Sequence, residues 1–95
     1  MMTFVYMLEC KDGSFYTGYT TDLKARYEKH NSGSGAKYTR GRIPVKLVYF
    51  EIFETKSEAL KIEIKIKKMN RLRKEKLVLN FDKSKFSTYM EGDVL

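Results

Sequence analysis

The 95-residue chain contains one cysteine, one proline and one histidine. A lone cysteine, Cys10, cannot close an internal disulfide, and no Cys/His spacing repeat exists for a zinc site. With a single proline, Pro44, and no repeat or low-complexity tract, there is no candidate linker, so the length predicts one small domain. No apolar run approaches the roughly 18 residues of a membrane-spanning helix, and the N-terminus lacks a signal-peptide layout. These absences predict a soluble, cytoplasmic protein that does not enter membranes.

What is present suits a folded, basic domain. Hydrophobic residues make up 42% and aromatics 14%, enough for a modest core rather than wholesale disorder. A chain of this size buries about 60–65% of its unfolded surface without needing staples. Nineteen basic residues against twelve acidic ones give a formal charge of +7, which points to an anionic polymer as partner. The excess is uneven: residues 1–36 are neutral, 37–50 carry +4 and 61–80 carry +6. If the two basic segments meet in space they form a phosphate-binding surface; otherwise they are solvated faces.

The pattern of residues predicts an α+β fold: a three-stranded antiparallel sheet flanked by helices, in the order β-β-α-β-α-α. Thr3 to Cys10 is β-branched and aromatic, hence a strand, and Phe15 to Thr20 is its returning partner. Asp12-Gly13 between them signals a hairpin. Thr20, Thr21 or Asp22 can cap a helix from Leu23 to His30. A Gly/Ser/Lys loop follows to about Pro44, then a third strand from Val45 to Phe53. Thr55 to Glu58 fits a capping box for a helix running to about Met69, and Asn70 can cap a further short helix to Leu79. Residues 1–80 form the predicted domain; 81–95, with Phe81, Phe86, Tyr89 and Met90, form a tail that packs as an extra arm or frays.

Three places break the structural pattern. On the helix from Leu23, the residues Leu23, Arg26, Tyr27 and His30 share one stripe. Leu23 and Tyr27 suit a core, whereas Arg26 and His30 lie one turn apart and can converge on one point. They offer a planar fork for a phosphate oxygen and a proton carrier, unless both simply snorkel past the core edge. On the helix from Ser57, Glu63 falls inside the apolar arc of Ala59, Leu60, Ile62, Ile64, Ile66 and Met69. There it either pairs with Lys67 at i+4 or ligates a hard divalent cation. In the hairpin, a two-residue Asp12-Gly13 loop pairs Tyr6 with Tyr19 and turns Tyr16 to the opposite face. A three-residue Lys11-Asp12-Gly13 loop, with Gly13 in a left-handed bulge, places Tyr6 and Tyr16 on one face. The sequence permits both registers.

These residues together resemble the GIY-YIG nuclease superfamily, in particular its small single-domain members. The resemblance runs from about Phe4 to Leu79. It rests on Val5-Tyr6-Met7-Leu8, then Tyr16-Thr17-Gly18, then Arg26 and His30. Gly35-Ala36-Lys37-Tyr38-Thr39-Arg40-Gly41-Arg42, Ser57-Glu58-Ala59-Leu60, Glu63 and Ile66-Lys67-Lys68 complete it. The resemblance implies hydrolysis of a DNA phosphodiester with one Mg²⁺ or Mn²⁺. Tyr6 and Tyr16 match the two motif tyrosines, one of which helps activate water, and Arg26 matches the arginine that neutralises the scissile phosphate. His30 matches a position in the proton-transfer network, and Glu63 the metal ligand. The expected phenolate form of the active tyrosine would be favoured by Arg26 and the metal.

The sequence departs from the family in three respects. The first motif has no leading glycine, Thr17 replaces a branched aliphatic, and Tyr19 stands where several relatives carry a lysine. Asn80 is the nearest match to a later family asparagine, at a spacing that leaves it outside the expected site. Lys37, Arg40, Arg42, Lys67 and Lys68 are the expected backbone-binding residues, on DNA that includes branched or damaged forms. No separate targeting domain is visible, so a protein partner is expected to direct the enzyme. The competing readings are a non-catalytic nucleic-acid-binding module on the same fold and a protein-interaction domain using Phe86, Tyr89 and Met90.

Overall fold

The computed structural model describes residues 2–90. The far end of the tail, 91–95, lies outside the described residues. Strands β1 (Thr3–Glu9) and β2 (Phe15–Thr20) pair antiparallel, with Tyr6 opposite Gly18 and Leu8 opposite Tyr16. The Cys10 N–H donates to the Ser14 carbonyl at 2.8 Å and Gly13 has φ +85°, so the turn is the three-residue loop with Gly13 in the left-handed region. This register brings Tyr6 and Tyr16 to the same face. Two arginines distant in sequence hold the turn. Arg42 Nε pairs with the Asp12 carboxylate at 2.9 Å, and Arg71 Nη1 donates to the Gly13 carbonyl at 2.6 Å.

Helix α1 (Leu23–Asn31) starts where the Asp22 carboxylate accepts the Ala25 N–H, which selects Asp22 among the three candidate caps. The loop that follows contains a four-residue helix, α2 (Lys37–Arg40), which the Gly/Ser/Lys composition does not announce. Strand β3 (Lys46–Phe53) pairs antiparallel with β1, so the sheet order is β2-β1-β3. A bulge opposite Met7 and Leu8 inserts Val48 without a partner. It shifts the pleat by one residue, which is why Leu47 and Phe50 face the same side. Helix α3 (Lys56–Lys67) begins at Thr55, whose hydroxyl accepts the Glu58 N–H and bonds the Glu58 carboxylate. Asn70 caps α4 (Arg71–Leu79), and α5 (Lys85–Tyr89) closes the described chain. The expected β-β-α-β-α-α order stands, with α2 and α5 added to it.

Helices cover both faces of the sheet, so the central strand β1 is buried without alternation. Phe4, Tyr6 and Leu8 face a core with Leu23 of α1, Leu47, Phe50, and Phe86 and Met90 at the end of the chain. Val5 and Met7 face the other core, with Tyr49 and with Ala59 and Ile66 of α3. Phe86 and Met90 are buried and Tyr89 is half-buried against Phe4 and Phe50, so these side chains are used for packing rather than presented to a partner. On α3 the buried stripe is Ala59, Glu63 and Ile66. Ile64, expected in the apolar arc, is 51% exposed: one residue beyond Glu63, it is rotated about 100° away from the sheet.

Candidate active site

The site begins with a buried polar chain on the α1 face of the sheet. The Tyr6 hydroxyl lies 2.8 Å from His30 Nε2, and His30 Nδ1 lies 2.8 Å from Thr39 Oγ1. Thr39 in turn donates to the Ala36 carbonyl at 3.0 Å. Tyr6, His30 and Thr39 are all fully buried, so His30 does not snorkel past the core edge; it is enclosed by it. Two glycines make the enclosure possible. A Cβ on Gly18 would stand 2.7 Å from the Tyr6 hydroxyl, and one on Gly35 would stand 2.5 Å from His30 Nδ1. The motif glycine of β2 is therefore a matter of space above the tyrosine.

Burial, and secondarily the Arg26 charge, holds the His30 imidazole down to a pKa of about 4, so the ring is neutral at physiological pH. Burial pushes the Tyr6 phenol well above its ordinary value, Tyr16 adds to this, and the adjacent Arg26 guanidinium offsets only part. Tyr16 is raised by burial and by Glu63. The expectation that Arg26 favours a Tyr6 phenolate is thus corrected for the protein alone: desolvation outweighs the arginine.

Tyr6, Tyr16, Gly18, Arg26 and Glu63 line one cleft of about 650 Å³ at the edge strand β2. Residues of both sheet faces reach it, because β2 has no further strand beside it and Gly18 carries no side chain. Arg26 is exposed on α1 at the cleft wall. Glu63 is buried on α3, and Lys67 Nζ stands 3.5 Å from its Oε2, with the lysine half exposed. The i+4 pairing read from the sequence is present, and the same carboxylate lines the cleft, where a cation could reach it. Among the described residues no cluster of three or more His, Cys, Asp or Glu side chains is arranged to hold a metal. Glu63, with Glu54 also on the cleft lining, suits Mg²⁺, which keeps several waters and takes only one or two protein carboxylates beside substrate oxygens.

The expected backbone-binding residues divide. Lys37 and Arg40 on α2 and Lys68 at the end of α3 are exposed. Arg42 is engaged by Asp12, by the Tyr38 carbonyl at 2.7 Å and by the Tyr38 ring at 4.0 Å. Lys67 and Lys74 share a depression with Phe15, Tyr16, Thr17 and Tyr38, so the second basic segment meets the first there through Tyr38 rather than through a basic side chain. Asn80 caps the end of α4 and does not line the cleft.

Sequence reasoning missed Thr39, Lys56 and Glu54. Thr39 gives no periodic signal because α2 is a single turn. Lys56 and Glu54 line the cleft from either side of the Thr55 cap, and Lys56 Nζ lies 5.6 Å above the Tyr19 ring. A helix N-terminus beside a strand end was the available cue.

Comparisons with known proteins agree with this geometry. Residues 2–76 match the model of the GIY-YIG catalytic domain. A UPF0213 protein of Halobacterium salinarum is 55% identical over 76 residues, covering 80% of this chain and 99% of that protein. One from Staphylococcus aureus is 60% identical over 75 residues, covering 79% and 92%. The solution NMR structure of a UPF0213 protein from Bacillus halodurans superposes with a TM-score of 0.55 at 56% identity, covering 82% and 83% of the two chains. That of a protein from E. faecalis gives 0.57 at 50% identity, covering 80% and 81%. The chain belongs to the GIY-YIG family, as a small single-domain protein of the UPF0213 kind.

Proposed function

We propose that this chain is a divalent-metal-dependent endonuclease that hydrolyses DNA phosphodiester bonds at the β2 cleft. The observation that carries the reading is the convergence of Tyr6, Tyr16, Arg26 and Glu63 on that cleft, with the Tyr6 hydroxyl bonded to a neutral His30. A phosphate entering the cleft meets the Arg26 guanidinium, whose fork suits its non-bridging oxygens and offsets the charge that grows on them. Water beside Tyr6 gives its proton to the phenol oxygen as the phenol proton moves to His30 Nε2, so no free phenolate is required. Tyr16 packs against His30, ring centroids 5.2 Å apart, and closes the same wall. Glu63 would hold Mg²⁺ or Mn²⁺, which supplies Lewis-acid stabilisation of the leaving oxygen. Lys37, Arg40, Lys67 and Lys68 would track the backbone flanking the cut, while Arg42 braces the turn beside them.

Recognition on this surface would follow the backbone and shape of DNA rather than a long base sequence, since the sequence carries no recognisable base-reading helix among the described residues. Branched and damaged DNA are the substrates to try first, and a protein partner would narrow the choice further. The test is cleavage of plasmid and branched DNA with Mg²⁺ or Mn²⁺ by wild type, Arg26→Ala and Glu63→Ala. Wild type should cut, Arg26→Ala should be slower by about 10²–10³-fold, and Glu63→Ala should be inactive. Equal cutting by all three would assign the activity to a contaminant. Salt-dependent binding with no cutting by any would favour a non-catalytic nucleic-acid-binding module.

A further inference from the structure

We infer that Thr39 is a positioning residue that fixes His30 in its Nδ1–H tautomer, so that Nε2 presents a lone pair to the Tyr6 hydroxyl before any substrate arrives. The catalytic consequence rests on the function proposed above; the tautomer itself does not.

The argument is a count of donors and acceptors. The Thr39 hydroxyl has one proton, and it lies 3.0 Å from the Ala36 carbonyl and 2.8 Å from His30 Nδ1. A carbonyl can only accept. If Thr39 gives its proton to Ala36, its oxygen accepts Nδ1–H, Nε2 is bare, and Tyr6 O–H donates to it at 2.8 Å. Every donor then has an acceptor, and all bonds run one way, from Tyr6 through His30 and Thr39 to the backbone. In the opposite arrangement Thr39 donates to Nδ1 and Nε2–H donates to Tyr6. The Thr39–Ala36 bond is then given up, and among the described residues the Tyr6 hydroxyl has no second protein hydrogen-bond partner to take its proton. The first arrangement keeps the Thr39–Ala36 bond and gives every donor a protein acceptor, whereas the second leaves the Tyr6 proton to water in the cleft.

Turning the ring over would put carbon atoms where Nδ1 and Nε2 now stand and would lose both hydrogen bonds. Gly35 packs so closely against the ring that even a methyl group there would collide with Nδ1 and the His30 backbone. A neutral imidazole free in water favours the Nε2–H form, so the protein imposes the less favoured tautomer. Thr39 and Gly35 both belong to the loop around α2, which gives that loop a task at the site although neither residue lines the cleft.

The chain's single histidine makes the test unambiguous. Long-range ¹H–¹⁵N correlation of the ring at neutral pH should show a protonated Nδ1 and an unprotonated Nε2. Thr39→Val keeps the shape but cannot accept; it should move the ring toward the Nε2–H form, and Thr39→Ser should restore the wild-type pattern. In DNA cleavage Thr39→Val should lower kcat by about tenfold or more with KM unchanged, and Thr39→Ser should recover most of it. A wild-type ring protonated at Nε2, or a folded Thr39→Val with an unchanged Nδ1–H ring, would overturn the inference. If Thr39→Val fails to fold, the wild-type spectrum decides alone. A wild-type Nδ1–H ring in a protein that cuts no DNA would remove the nuclease reading and leave the tautomer assignment standing.

Discussion

The two helices that supply the site do so in opposite ways. Helix α1 brings His30 into full burial, with both ring nitrogens engaged and a glycine packed against the ring. Helix α3 brings Glu63 to the cleft that Tyr6 lines, with an ion pair at 3.5 Å to a half-exposed lysine. The first arrangement has one geometry and little freedom. The second is loose, since Lys67 can swing away into water at small cost. The proposed nuclease chemistry would use both: a proton path that is set in advance, and a carboxylate that can exchange its lysine for a cation.

The difference can be broken from the rigid side first. His30 ionises at about pH 4 in the folded chain and near 6.5 when unfolded. Because the folded value is depressed, its contribution is complete above about pH 6.5 and is lost as pH falls toward 4, with no further loss below. The expected loss is on the order of 3 kcal/mol. Urea denaturation across that range, beside an NMR titration of the ring, checks it; a ring that titrates near 6.5 in the folded protein would show that it is not held neutral by burial. Gly18→Ala attacks the same side sterically, since its Cβ would sit 2.7 Å from the Tyr6 hydroxyl. Displacing that hydroxyl should lower kcat by about 10²-fold while the chain still binds DNA, read by parallel cleavage and binding assays. The loose side should respond least. Lys67→Ala should lower the unfolding free energy by about 1 kcal/mol, as measured by denaturant melts, because the lysine is half exposed although the change takes a partner from the largely buried Glu63.

The same contrast explains what the sequence disclosed. The strands, the Asp22, Thr55 and Asn70 caps, and the stripe carrying Arg26 and His30 depend on local spacing, and local spacing is written in the chain. The hairpin register was open between two loops, because Asp12-Gly13 serves either; only the conformation of Gly13 and the Cys10–Ser14 bond decide it. Thr39 could not be singled out, since its partner lies nine residues away across an irregular loop. Ile64 departs from the expected apolar arc because the stripe that meets the sheet is narrow, Ala59, Glu63 and Ile66, and Ile64 lies about 100° round the helix from Glu63.

On the function proposed above, the cleft hydrolyses DNA with a cation that Glu63 would hold. DNA binding and DNA cleavage measured side by side for wild type and Glu63→Gln over a magnesium series test it most directly. The account predicts that wild-type cleavage rises with magnesium to a plateau, while Glu63→Gln binds DNA as well and cuts about 10³-fold more slowly or not at all. Equal cleavage by the two proteins at every magnesium concentration would contradict it.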